Sequence, residues 1–132
     1  MIPVYMTNDH YMQVRKWWEA RGHQFIPMVS LPRTSIIIED DLKRPVAFGC
    51  VYMTDSDSCM MEWITTNPES SSDDRDHALN LLIYTLKAHA ETDKKRLIFS
   101  YLQDAGLMSR YGEHGFQKSD ENMTHFLFVR KD

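Results

Sequence analysis

Three apolar runs follow one another in the middle of the chain. They are Ser35-Ile36-Ile37-Ile38-Glu39, Val46-Ala47-Phe48-Gly49-Cys50-Val51-Tyr52-Met53 and Cys59-Met60-Met61-Glu62-Trp63-Ile64-Thr65-Thr66. Each is rich in β-branched and aromatic residues, and each is bounded by turn formers: residues 40–45, then Asp55-Ser56-Asp57-Ser58, then Asn67-Pro68. Runs of this kind joined by short polar turns predict consecutive antiparallel strands. A helical stretch follows over 73–92, with Ala78, Leu82, Leu86 and Ala90 on one face. The strongly apolar run 96–102 then reads as a strand. A meander followed by a helix that crosses back to another strand predicts an α/β architecture with a central mixed sheet flanked by helices.

The ends of the chain extend this order. Residues 2–6 form a short first strand, and Thr7, Asn8 and Asp9 offer N-caps. From His10 to Arg21, Tyr11, Val14, Trp17 and Trp18 recur at helical spacing, and Gly22 is a natural stop. Residues 24–34 carry Pro27 and Pro32 and read as loop. Residues 104–111 predict a short helix, and Phe116 with residues 124–130 predicts final strand material. Trp17, Trp18 and Trp63 read as core with one exposed ring, or alternatively as a platform for stacking a ligand.

At 132 residues this is one domain, 1–132, with no linker or repeat. The net charge of −4 gives no electrostatic reason to expect nucleic acid or an anionic membrane. No apolar run is long enough to span a bilayer. The first residues lack the pattern of a signal peptide, and two cysteines in a chain of this length read as reduced thiols; both point to a cytoplasmic location. Cys50 and Cys59 could still face each other across a hairpin. Scattered histidines and the absence of Cys-x-x-Cys predict no metal site.

Tyr111-Gly112-Glu113-His114-Gly115-Phe116 resembles the Tyr-Glu-x-x-Gly-Phe segment of the GNAT (acyl-CoA N-acyltransferase) superfamily, with Gly112 in place of the usual Glu. Ile36-Ile37-Ile38-Glu39-Asp40 with Pro45-Val46-Ala47-Phe48-Gly49 is similar to that superfamily's hairpin, and Glu62-Trp63-Ile64-Thr65-Thr66-Asn67-Pro68 to its cofactor-facing strand. More narrowly, Tyr52-Met53-Thr54-Asp55-Ser56, Trp63 with Asn67-Pro68, and Arg75 with Ala78-Leu79 and Leu82 together resemble small GNAT-like proteins of bacteriophages, whose location would be the host cytoplasm. The resemblance implies a splayed strand at Ile64, Thr65 and Thr66 that would bind acetyl-CoA, Glu62 as base and Tyr111 as acid. It aligns Asp73, Asp76 and Ala78 with the Arg/Gln-x-x-Gly-x-Gly/Ala loop that holds pyrophosphate, and Asp104 with a cofactor-contacting Asn. Each has an ordinary counterpart: Glu62 facing solvent, Tyr111 packing its ring, Asp104 capping a helix.

The loop departs from the pattern. It has no glycine, and Glu69, Asp73, Asp74 and Asp76 stand where a pyrophosphate would sit, with Arg75 as the one cation. A like-charge contact at ~5 Å and an effective dielectric near 20 costs on the order of 3 kcal/mol. Ser71 or Ser72 as N-cap, with the aspartates on the helix dipole, accounts for the same residues. Two functions follow from the resemblance. One is a GNAT-type scaffold that binds no cofactor, has little or no catalytic activity, and contacts a host or virion protein or a second copy of itself. The other is an acetyl-CoA-dependent N-acetyltransferase acting on a protein or small-molecule amine.

Overall fold

The computed structural model describes residues 1–102 and 104–131. Its elements are β1 (Ile2–Tyr5), α1 (Asn8–Ala20), a 3₁₀ turn (Met28–Ser30), β2 (Thr34–Glu39), β3 (Pro45–Met53), β4 (Ser58–Thr66), α2 (Ser72–Thr92), β5 (Leu97–Phe99) and α3 (Ala105–Glu113). They build one five-stranded sheet in the order β1-β2-β3-β4-β5. The first four strands are antiparallel, and β5 joins β4 in parallel through the α2 crossover. The chain is therefore the α/β mixed sheet that its pattern predicts.

Helices cover both faces of the sheet, which is why its central strands read as unbroken apolar runs rather than alternating ones. Ile36, Ile38, Val51 and Met61 pack against Ala78, Leu82, Ile83, Leu86 and Ala90 of α2. Ile37, Phe48 and Cys50 face Tyr11, Val14, Trp17 and Trp18 of α1. Thr7 caps α1 through the His10 N–H, and Ser71 caps α2 through the Asp74 N–H at 3.1 Å. Trp17 and Trp18 are both buried and Trp63 is half-buried, so none of the three is the exposed ring expected. Cys50 lies opposite Glu62 and Cys59 opposite Met53, so the two buried thiols are not paired across the hairpin.

The β3–β4 register shifts between Phe48 and Cys50, where β4 carries an extra residue and Trp63 takes φ 60°. A bulge of this kind sends two successive side chains to one face. Glu62 and Trp63 accordingly both lie on the α1 side. Gly49 sits opposite the bulge because nothing larger fits. A Cβ there would meet Ile64 Cγ1 and Leu86 Cδ1 at 3.0 Å and Leu82 Cδ2 at 3.1 Å. Gly49→Ala is expected to cost about 1–3 kcal/mol by overpacking, read from the midpoint of urea unfolding.

The structure departs from the sequence expectation at the last two strands. Strand β5 is shorter than 96–102, and residues 124–130 form no strand. Gly115, at φ 87°, turns Phe116 back onto the Tyr111 ring at 4.8 Å instead of into the sheet. Strand propensity acts through neighbours, and no described strand runs alongside 124–130. Phe126 and Phe128 remain 85 % and 91 % exposed.

Candidate functional site

The bulge in β4 determines where the sheet opens. Strand β5 pairs with β4 only through Ser58, Cys59 and Met60. Beyond that point the strands part, and β4 runs on from Met61 to Thr66 without a ladder on that side. One side-chain bond spans the start of the gap: Ser100 Oγ donates to the Met61 carbonyl at 2.6 Å. Tyr111 Oη lies 2.7 Å from the same Oγ. Ser100 has a single hydroxyl hydrogen and spends it on Met61, so the Tyr111 hydroxyl is the donor between them. Burial raises the Tyr111 phenol above its ordinary value, with the Glu62 charge adding in the same direction.

Glu62 is the anomaly of the site. Its Oε1 is buried and has no hydrogen-bond partner. Burial raises its carboxyl from 4.5 to about 7, opposed by the Tyr101 backbone N–H. An unpaired buried carboxyl oxygen is costly, and such groups gather where a proton must move. Tyr52 and Trp63 stand beside it, with Trp63 Nε1 donating to Tyr52 Oη at 3.0 Å. Trp63 is held at a positive φ, a conformation that costs an ordinary residue about 1–3 kcal/mol.

At the far end of the gap, Arg21 leaves the C-terminus of α1 and reaches β4. Its guanidinium donates to Thr66 O at 2.5 Å, Thr66 Oγ1 at 2.9 Å and Thr65 Oγ1 at 3.3 Å. Burial and the field of Arg75 lower its pKa, while Asp104 raises it. Arg75 donates to the carbonyls of Ser70 and Pro68 at 2.6 and 3.3 Å. Two guanidinium groups thus converge where β4 ends and α2 begins. The first turn of α2 beside them carries Asp73 and Asp74, and its Asp74 N–H is taken by Ser71.

The expected residues fall into distinct places. Glu62 lies on the α1 side of β4 and Tyr111 packs in the core on the α2 side, where the Glu62 charge still acts on its phenol. Thr65 and Thr66 are buried at the end of β4 and bound by Arg21. Ile64 packs against the α2 side of the core, and Ala78 is fully buried there. Asp104 caps α3 through the Leu107 N–H at 3.0 Å.

The loop acids fall in more than one place. Asp76 pairs with Arg110 of α3. Asp74 lines shallow hollows with Asp40 and Arg44, away from Glu62 and Tyr111. Asp73 is exposed in the first turn of α2. Glu69 lines one of those hollows together with Asp74 and Asp40, so two of the four loop acids stay together while Asp76 is paired elsewhere. Arg21, Ser100, Tyr52 and Tyr101 are the site residues that sequence reasoning missed. For Arg21 the only signal was a cation at a helix end, just before Gly22.

No protein-family model matches the sequence, and no curated protein matches it significantly. Solved structures do match. A ribosomal-protein alanine N-acetyltransferase from Escherichia coli superposes with a TM-score of 0.68 at 12% identity, covering 90% of this chain and 79% of that one. Together with the splayed sheet, this defines the fold as that of the GNAT acyl-CoA N-acyltransferases. A protein from Thermus thermophilus reaches a TM-score of 0.73 at 14% identity, covering 99% of this chain and 100% of its own. A Mycobacterium tuberculosis protein solved in complex with CoA reaches 0.69 at 11% identity, with 85% and 70% covered. At these identities the likeness concerns the fold.

Among the described residues, no group of three or more His, Cys, Asp or Glu is placed to hold a metal. No described helix is long and apolar enough to cross a membrane.

The Tyr111 bond to Ser100 gives a separate expectation. Tyr111→Phe leaves the Ser100–Met61 bond in place and removes one buried hydrogen bond, about 1 kcal/mol. If Tyr111 supplies a proton, kcat falls roughly ten- to a hundredfold with KM unchanged, measured as thiol release at saturating substrate.

Proposed function

We propose that the chain is an acyl-CoA-dependent N-acyltransferase, most simply an acetyltransferase, acting on an amine at the opening between β4 and β5. The observation that carries the reading is Glu62: a buried carboxyl oxygen without a partner, titrating near neutrality, at the point where the sheet splits. An acyl-CoA, when bound, supplies an acyl group activated as a thioester.

The chain's own residues meet the remaining needs. The unladdered side of β4 offers backbone donors and acceptors to an extended amide-bearing chain. Arg21 and Arg75 offer positive charge to a diphosphate, despite the absence of glycine from the loop. Glu62, ionised above about pH 7, takes a proton from the amine. Tyr111, kept protonated by burial, holds a proton for a leaving group. A pair of arginines needs no Cβ-free approach, because a guanidinium reaches phosphate oxygens from a distance.

One observation favours the alternative of a scaffold without catalysis. Arg75 already bonds two loop carbonyls and so holds the glycine-free loop closed on itself. Release of free thiol from acetyl-CoA over a panel of amines separates the two. Amine-dependent release that Glu62→Gln abolishes supports the transferase, and release indistinguishable from the enzyme-free rate across the panel overturns it.

A further inference from the structure

Strand β5 ends the sheet, so among the described residues its outer edge has no ladder partner. Its face on the α1 side is uncovered as well. Ile98 packs into the α2-side core, which turns Leu97 and Phe99 the other way. The cluster around α1 reaches no farther across the sheet than Trp63 of β4. Leu97, Phe99 and the following Tyr101 are therefore half-exposed. A free strand edge beside an apolar row is a template for another strand.

The chain carries the complementary piece and leaves it unused. Residues 122–129 hold no Asp, Glu, Lys or Arg. As a strand, this segment sets Phe126 and Phe128 on one face and Leu127 and Val129 on the other. Strands apolar on both faces belong where both are covered. Here those four side chains are each at least 60 % exposed. Their own chain does not bring them to the outer edge of β5. The His125 ring stacks on Tyr101 with planes 15° apart and meets Trp63 of β4 at 6.2 Å. At His125 the chain thus lies on the β4 side of Tyr101, away from the free edge.

An acceptor edge and a donor segment on one chain, neither satisfied within it, are the two halves of a self-complementary contact that a twofold axis closes. Large aromatic side chains bury ~150–250 Å² each, so the exposed parts of Leu97, Phe99, Tyr101 and Phe126 to Val129 offer roughly 800 Å² per chain. Two chains together reach about 1,600 Å², the size of a standard specific interface. We propose that the occupant is a second copy of this chain: residues 124–129 of each copy add as a strand to the free edge of β5 in the other, giving a twofold dimer. The contact goes beyond the transferase reading and does not depend on it.

The full chain is tested by light scattering after gel filtration, from low to high micromolar concentration, and by hydrogen exchange at both ends of that range. A mass twice that of one chain is expected at the upper end. Peptides covering 97–101 and 124–129 should exchange more slowly there, because edge amides gain partners. Phe126→Asp combined with Phe128→Asp alters two side chains that are almost wholly exposed in the single chain. It should weaken self-association by about a hundredfold or more, and Phe99→Lys on the acceptor row should do the same, with cooperative unfolding retained in both. The exchange readout is taken on the unaltered chain and holds even where a variant misfolds. A monomer at every concentration would overturn the proposal, whether the segment covers its own β5 or serves an unrelated protein. So would a dimer that persists in both variants, which places the contact on another surface, or a dimer whose 97–101 and 124–129 peptides stay unprotected.

Discussion

Glu62→Gln is expected to lower kcat by roughly 10²–10⁴-fold, the range that a positioned general base contributes. The same substitution should remove a pH dependence of stability. The folded carboxyl titrates at about 7, above the ordinary 4.5. Between those values the folded chain holds a proton that the unfolded chain has already released. Stability therefore falls as pH rises from about 4.5 to about 7 and stays lowered above that. After a discount for partial solvent screening, the loss is on the order of 1–2 kcal/mol. Urea unfolding at pH 5 and pH 8 checks it: wild type should lose that much more than Glu62→Gln between the two. A parallel pH response of the two proteins would mean that Glu62 titrates normally and is not a poised base. On the kinetic side, kcat should rise through about pH 7 and then level, and the rise should be absent from any residual activity of the variant.

The second large effect concerns Arg21. Its guanidinium both closes the end of β4 and stands beside Arg75. Hydrogen bonds to charged groups contribute about 1.5–3 kcal/mol, so Arg21→Ala should weaken CoA by roughly ten- to a hundredfold. Part of its effect is structural, since Thr66 O and both threonine hydroxyls lose a donor. Arg21→Lys separates the two contributions. It retains the charge but loses the fork, and should recover part of the affinity. Calorimetric titration with CoA and with dephospho-CoA, at temperatures well below unfolding, reads these differences. An unchanged affinity in Arg21→Ala would place the diphosphate elsewhere.

How far the letters reached can be argued residue by residue. Element positions were legible because both helices carry a clean apolar stripe: Tyr11, Val14, Trp17 and Trp18 on α1, and Ala78, Leu82, Leu86 and Ala90 on α2. The strand at 124–130 was not legible as absent, because its composition satisfies strand propensity while pairing depends on a partner that the sequence does not display. The acidic loop was legible as a cap and dipole arrangement, with Ser71 at the N-cap and Asp73 and Asp74 in the first turn. Successive helical residues fan out by about 100°, so Asp73, Asp74 and Asp76 leave the helix in different directions. One pairs with Arg110 and another turns toward Asp40 and Arg44. The reach of Arg21 to Thr66 spans forty-five positions and leaves no trace in spacing. Glu62 could be proposed from its place before Asn67-Pro68, but its orphan oxygen depends on the bulge that puts it and Trp63 on one face.

The most direct test of the central claim, that the split between β4 and β5 is an acyl-CoA site, is a crystal structure of the chain with CoA. The account predicts the diphosphate against Arg21, Arg75 and the start of α2, with the pantetheine arm along Met61 to Thr66 and the thiol near Glu62 and Tyr111. CoA bound at the Asp40–Arg44 hollow, or a gap still empty at saturating CoA, would contradict it.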